Sequence, residues 1–143
     1  MTPKEIYLRQ LELAIAGDRE AQASHYHPEA VVIFPFAPAG VPDRFEGREA
    51  IRAMSEALDR AHGAAAPVPT ESRLVVHETT DPELIVAEID ARVADPDTGA
   101  DRRMRQLHVV RVRDGLIIEH HDYFAGDSAS LVRTALAGFT ART

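Results

Sequence analysis

Between residues 105 and 124 the chain reads RQLHVVRVRDGLIIEHHDYF, two β-rich runs around Asp114-Gly115. That dipeptide favours the positive backbone angles of a tight hairpin turn. Two registers compete. A two-residue turn sets Val112 opposite Ile117 and Val110 opposite Glu119, mixing apolar and charged residues on one face. A three-residue loop, 113–115, needs a left-handed residue at its third position, which Gly115 takes at no steric cost. It sets Val112 opposite Leu116, Val110 opposite Ile118, His108 opposite His120 and Gln106 opposite Asp122. Side chains alternate with period two, so these eight residues share one face, and Arg113, Arg111, Glu119 and His121 take the other. The alternation favours the three-residue loop. Its inner face is an apolar wall ending in an acid, two imidazoles and an amide.

Upstream, the pattern is helical. Thr2, Pro3 and Glu5 read as a capping box with proline at the first helical position. Tyr7, Leu8, Leu11, Ala14 and Ile15 follow at helical spacing, and Gly17 ends the run. Asp18 caps a short second helix to about residue 24. Residues 31–34 are a strand and 35–45 a loop rich in Pro and Gly. From Gly47, Ile51, Met54, Leu58 and Ala61 draw the stripe of a third helix closed by Gly63, and 64–69 is a connector. The period then switches to strands: 74–80, a turn at 80–83, and a long strand 84–94 with Ile85, Ala87, Ile89, Ala91 and Val93 along one face. Residues 95–99 turn the chain into the hairpin. Asp127-Ser128 offers a cap for a last helix bearing Leu131, Val132, Ala135, Leu136 and Phe139. Helices first and antiparallel strands afterwards predict an α+β domain with a curved sheet wrapped around helices. The length, 143 residues, suits one domain, 1–143, with a full core.

Composition narrows the function classes. The net charge is −7 with basic residues scattered, which argues against nucleic-acid or anionic-membrane partners. There is no cysteine, so thiolate chemistry and disulfides are excluded. The first residues lack a signal-peptide core, and no run reaches the length of a membrane span, so a cytoplasmic location is expected. No P-loop, dinucleotide fingerprint or nucleophile-elbow motif is present.

The element order, with FEGRE (45–49) opening the third helix and VRVRDGLI (110–117) followed by HHDYF (120–124), resembles the SnoaL-like branch of the NTF2-like fold, the cone of ketosteroid isomerases and polyketide cyclases. ETTDP (78–82) leading into VAEID (86–90) is similar to the phenazine-biosynthesis PhzA/PhzB proteins. The resemblance spans nearly the whole chain and implies an NTF2-like cone, acid–base chemistry without cofactor or metal, a homodimer, and often a place in secondary metabolism. Asp122 falls where SnoaL-like cyclases carry an acid/base aspartate; the phenazine proteins have a glutamate in that region, one methylene longer. His108 falls where the phenazine proteins have a strand histidine. Their aromatic pair at the start of the long strand is replaced by Leu84-Ile85-Val86.

The candidate catalytic residues are therefore Asp122, His108 and His120, with Gln106, Tyr26, Val110 and Ile118 lining the substrate site. Burial would raise the pKa of Asp122 towards neutrality, suiting a proton shuttle; the competing reading is a rim carboxylate paired with Arg105. The histidines would polarise a carbonyl or hold Asp122, or else are hydrogen-bonded core residues. Gln106 would satisfy Asp122. Two imidazoles and a carboxylate are also the ligand set of a facial iron site. His25 and His27 read as a polar loop, Tyr26 as pocket lining or core, and His62 as a helix-terminal cation. Arg44 and Arg48 would hold an acidic substrate or pair with Glu46 and Glu49. His121 belongs outside. Leu107, Val109, Ile117 and Tyr123 make that outer face apolar enough for a dimer contact. The expected activity is isomerisation, cyclisation or condensation of a small, largely apolar carbonyl metabolite; the alternative is a non-catalytic small-molecule binder.

Overall fold

The computed structural model describes residues 1–62, 72–94 and 98–139. The elements run α1 (Pro3–Ala16), α2 (Arg19–Ser24), β1 (Tyr26–Ile33), β2 (Arg44–Glu46), α3 (Arg48–His62), β3 (Arg73–Glu78), β4 (Leu84–Ala94), β5 (Asp101–Arg113), β6 (Leu116–Gly126) and α4 (Asp127–Ala135). The six strands form one sheet in the order β2-β1-β6-β5-β4-β3. Strands β3 to β6 are an antiparallel meander, as the alternation predicts; β1 adds to β6 in parallel and carries β2 on its far edge.

The helix signals hold at the starts of α1 and α2. The Thr2 hydroxyl accepts from the Glu5 amide and the Glu5 carboxylate accepts from the Thr2 amide, completing the capping box, while Gly17 ends α1 at φ 75°. Asp18 caps α2 through the Ala21 amide. The buried face of α1 is Ile6, Tyr7, Gln10 and Leu13, one step round from the predicted stripe, and leaves Ile15 exposed. Helix α4 begins directly on β6, with Gly126 rather than Asp127 at the N-cap and no side-chain cap. Ser128 is buried against the Met104 sulfur instead. The loop 35–45 ends in β2, an edge strand too short to register as alternation. The connector 64–69, Gly63 and residues 95–97 lie outside the described residues.

The core fills the space between the inner sheet face and the helices. Ile51, Met54 and Ala57 of α3, Val132 and Leu136 at the C-terminal end, and Ile85, Ala87, Val110, Val112 and Ile117 of the sheet are all buried. Phe34 joins the halves by edge-to-face contacts with Phe45 and Phe124 at 5.8 and 5.5 Å, a geometry favoured by the ring quadrupoles.

The hairpin corrects the predicted register. Asp114 and Gly115 sit at φ 51° and 78°, a two-residue turn with both central residues left-handed, and Val112 faces Ile117. Such a turn matches the right-handed twist of the strands, which gives it the advantage over the three-residue loop. The mixing of apolar and charged residues expected of that register is avoided by a bulge. The register shifts by one between Arg111 and Val112, leaving Ile118 as the extra, unpaired residue. Ile117 therefore lies inside, fully buried, and not on the outer face; Leu116 and Ile118 are half-buried. Beyond the bulge the phase is restored, and His120, Asp122 and Phe124 face Val110, His108 and Gln106.

Candidate active site

The bulge sets the geometry. With His108 directly opposite Asp122, the His108 Nε2 lies 3.3 Å from the Asp122 Oδ1. The Gln106 amide donates to both oxygens of Asp122, at 3.1 and 3.4 Å, so the glutamine does satisfy the acid. His120 lies one pair nearer the turn, its ring 4.7 Å from that of His108 and edge-on to it. The three predicted catalytic side chains and Gln106 are thus in one cluster, and Val110, fully buried, faces His120. Arg105 is not the acid's partner; it leans towards Asp90.

Two tyrosines complete the cluster. The Tyr7 hydroxyl on α1 is 2.8 Å from the His108 Nδ1. The Tyr26 hydroxyl at the start of β1 is 3.0 Å from the His120 Nδ1, with the two rings stacked. Tyr26 reaches His120 because β1 joins β6 in parallel, placing Tyr26 beside Ile117. Arg48 fixes that strand end: its guanidinium donates twice to the Tyr26 carbonyl oxygen, at 2.5 and 3.0 Å, rather than pairing with Glu49. Arg44 pairs with Glu46 on the surface, the expected alternative. The sequence reading does not place Tyr7 or Gln10 at the site. A tyrosine on the buried stripe of an amphipathic helix was the available signal, since a buried phenol needs a hydrogen-bond partner.

Burial is deep. His108 and Asp122 side chains are 8% and 13% exposed, and the Nε2 atoms of both His108 and His120 are buried without a hydrogen-bond partner. Burial pushes His120 down to about 3, with His108 and His121 adding to the shift against the pull of Asp122, so its imidazole is neutral. Burial pushes Tyr26 up to about 12, with Gln10 opposing and Asp122 adding. It raises Tyr7 further, helped by Asp122. Both phenols keep their protons. For Asp122 burial is again the largest influence and acts upward, as expected. The charge and polar contact of His108, then His120 and Gln106, together outweigh it and hold the carboxyl below its ordinary value. The acid is therefore ionised at rest, a base rather than a stored proton, which corrects the expectation of a raised pKa.

The remaining candidates are dispersed. His121 is on the outer face, bonded to Glu119 and stacked near Tyr123. His25 closes α2, and the His27 ring accepts from the Glu29 amide within β1, not in a loop. His62 is the last residue of α3. Among the described residues no three His, Asp or Glu side chains are arranged to ligate a metal, and both Nδ1 atoms of the facial-site alternative are engaged by tyrosines. A cavity of about 410 Å³ lies on the opposite, outer face, lined by Phe36, Val75, Glu88, Leu107 and Tyr123 among others. Among the described residues no helix is long and apolar enough to cross a membrane.

Comparison with known proteins agrees with this architecture. An uncharacterized PhzA/B-like protein of Pseudomonas aeruginosa is 33% identical over 127 residues, covering 87% of this chain and 84% of that protein. A Bacillus subtilis structure with a provisional isomerase name superposes with a TM-score of 0.72 at 23% identity, over 99% of this chain and all of that one. The epoxide hydrolase/cyclase-like enzyme SalBIII, of pyran ring formation in salinomycin, gives a TM-score of 0.68 at 15% identity, over 88% and 92% of the two chains. At these identities the structures establish the shared NTF2-like fold. The model of the SnoaL-like domain matches residues 7–120, from the tyrosine over the site to the histidine within it, and the chain belongs to that family.

Proposed function

We propose that this chain is a cofactor-independent acid–base enzyme of isomerase, cyclase or condensation type, acting on a small, largely apolar carbonyl metabolite. The observation that carries this reading is an ionised carboxylate, Asp122, 13% exposed and set beside two imidazoles on the inner face of the sheet. Asp122 takes a proton from the carbon next to the carbonyl. The C–H electrons become the C=C bond of an enolate, and the charge moves to oxygen. An imidazole N–H stabilises that oxygen, and Asp122 returns its proton to the same or another carbon. The isomerase name of one structural neighbour and the epoxide hydrolase/cyclase-like name of another fit the broader class of isomerases and cyclases, not the enolate step itself.

The test needs no prior substrate. A panel of ketones and 1,3-dicarbonyl compounds is incubated with the protein in D₂O, and exchange at the α-carbon is followed by NMR. Asp122→Asn keeps size and some hydrogen bonding but removes the acceptor, and exchange is expected to fall about 10²–10⁴-fold. Equal exchange by the variant, or binding of panel members without any exchange, overturns the assignment in favour of a non-catalytic binding protein.

A further inference from the structure

The two histidines of the site are each held by a tyrosine at the same ring atom, and that pairing assigns them different tasks. The hydroxyls of Tyr7 and Tyr26 contact the Nδ1 atoms of His108 and His120 at 2.8 and 3.0 Å. A neutral imidazole has one donor and one acceptor nitrogen, and a phenol that keeps its proton gives it to the acceptor. In His120, whose imidazole is neutral, donation to Nδ1 places the ring proton on Nε2. The His108 Nε2 lies 3.3 Å from Asp122 without completing a hydrogen bond to it. The His120 Nε2 is buried and has no partner. A buried N–H without an acceptor is destabilising, and a ligand oxygen would relieve it.

Resting on the acid–base reading above, we infer that Tyr26 is a positioning residue that locks the His120 imidazole as its Nε2–H tautomer, leaving His108 beside Asp122 and His120 as the neutral donor to an enolate oxygen of the substrate. A neutral donor suits this task. It strengthens its bond as charge develops on the oxygen, yet does not give up its proton and does not compensate the Asp122 charge at rest. Tyr26 is itself fixed by Arg48 at its carbonyl oxygen, so the chain from α3 through β1 to His120 holds the donor in place.

The experiment is ¹⁵N NMR of the histidine rings in the intact protein at neutral pH, with the seven histidines assigned by single His→Gln variants. His120 is expected as the Nε2–H tautomer. Tyr26→Phe should shift His120 towards the Nδ1–H form, and Tyr7→Phe should leave the His120 tautomer unchanged. A merely structural tyrosine would alter stability without that selective change. A second readout uses 4-nitrophenol as a planar oxyanion probe on Asp122→Asn, in which the competing carboxylate charge is removed. Adding Tyr26→Phe should weaken phenolate binding by about tenfold or more. An Nδ1–H tautomer at His120 in the parent protein, no tautomer change in Tyr26→Phe, or phenolate binding indifferent to Tyr26 overturns the inference. The tautomers are read without catalysis. Retained exchange by Asp122→Asn alongside the expected tautomers would sink the enzymatic reading alone.

Discussion

His120 offers a prediction whose size follows from its burial. In the unfolded chain its imidazole titrates near its ordinary 6.5, and in the fold it is pushed down to about 3, chiefly by burial. Between those values the unfolded state binds a proton that the native state refuses, so stability must rise with pH across this window and fall as pH drops through it. From about pH 7.5 to about pH 4.5 the native ring stays neutral while the unfolded ring becomes almost fully charged, which costs about 2–3 kcal/mol. Asp122 carries a lowered pKa, so its contribution is present above its unfolded value and is lost only as pH falls through the folded one. That is below the window. The assay is urea denaturation followed by far-UV circular dichroism, since the chain has no tryptophan, on the native protein and on His120→Gln at both pH values. The variant also loses the Tyr26 hydrogen bond, but that loss appears at both pH values and cancels in the difference. The native protein should lose about 2–3 kcal/mol more than His120→Gln on acidification. Parallel losses in the two proteins would refute the claim that burial keeps His120 neutral.

Gly115→Ala should destabilise by about 1 kcal/mol or more in the same denaturation assay, because φ 78° is strained for a residue with a Cβ; an unchanged midpoint would contradict the left-handed turn. Tyr7→Phe removes the hydroxyl hydrogen-bonded to the buried His108 Nδ1 and should cost about 1–3 kcal/mol, a loss absent if water supplies the bond. The outer face around Phe36, Leu107 and Tyr123 is expected to pair with a second copy of the chain, and light scattering giving a monomer mass at micromolar concentration would exclude that. With the exchange experiment on Asp122→Asn, these measurements separate the fold, the site and its chemistry.

The sequence by itself determined what depends on neighbours along the chain. The capping box at Thr2, the end of α1 at Gly17, the bounds of β4 and the meander of β3 to β6 follow from spacing and turn chemistry, which act over a few residues. So does the gathering of Gln106, His108, His120 and Asp122 on one sheet face, because period two survives any register that keeps those positions in phase. The tertiary structure decided what depends on residues far apart. The bulge at Ile118 reconciles the twist demanded by the Asp114-Gly115 turn with the inward phase of His120 and Asp122, and three consecutive apolar residues, 116–118, conceal where that shift occurs. The parallel pairing of β1 with β6 brings Tyr26 to a histidine 94 residues away. The packing of α1 brings Tyr7 to one 101 residues away, and no local pattern encodes either meeting. The ionisation of Asp122 was decided there too. Burial is a property of one position and could be anticipated, whereas the opposing field of His108, His120 and Gln106 exists only once the strands are paired.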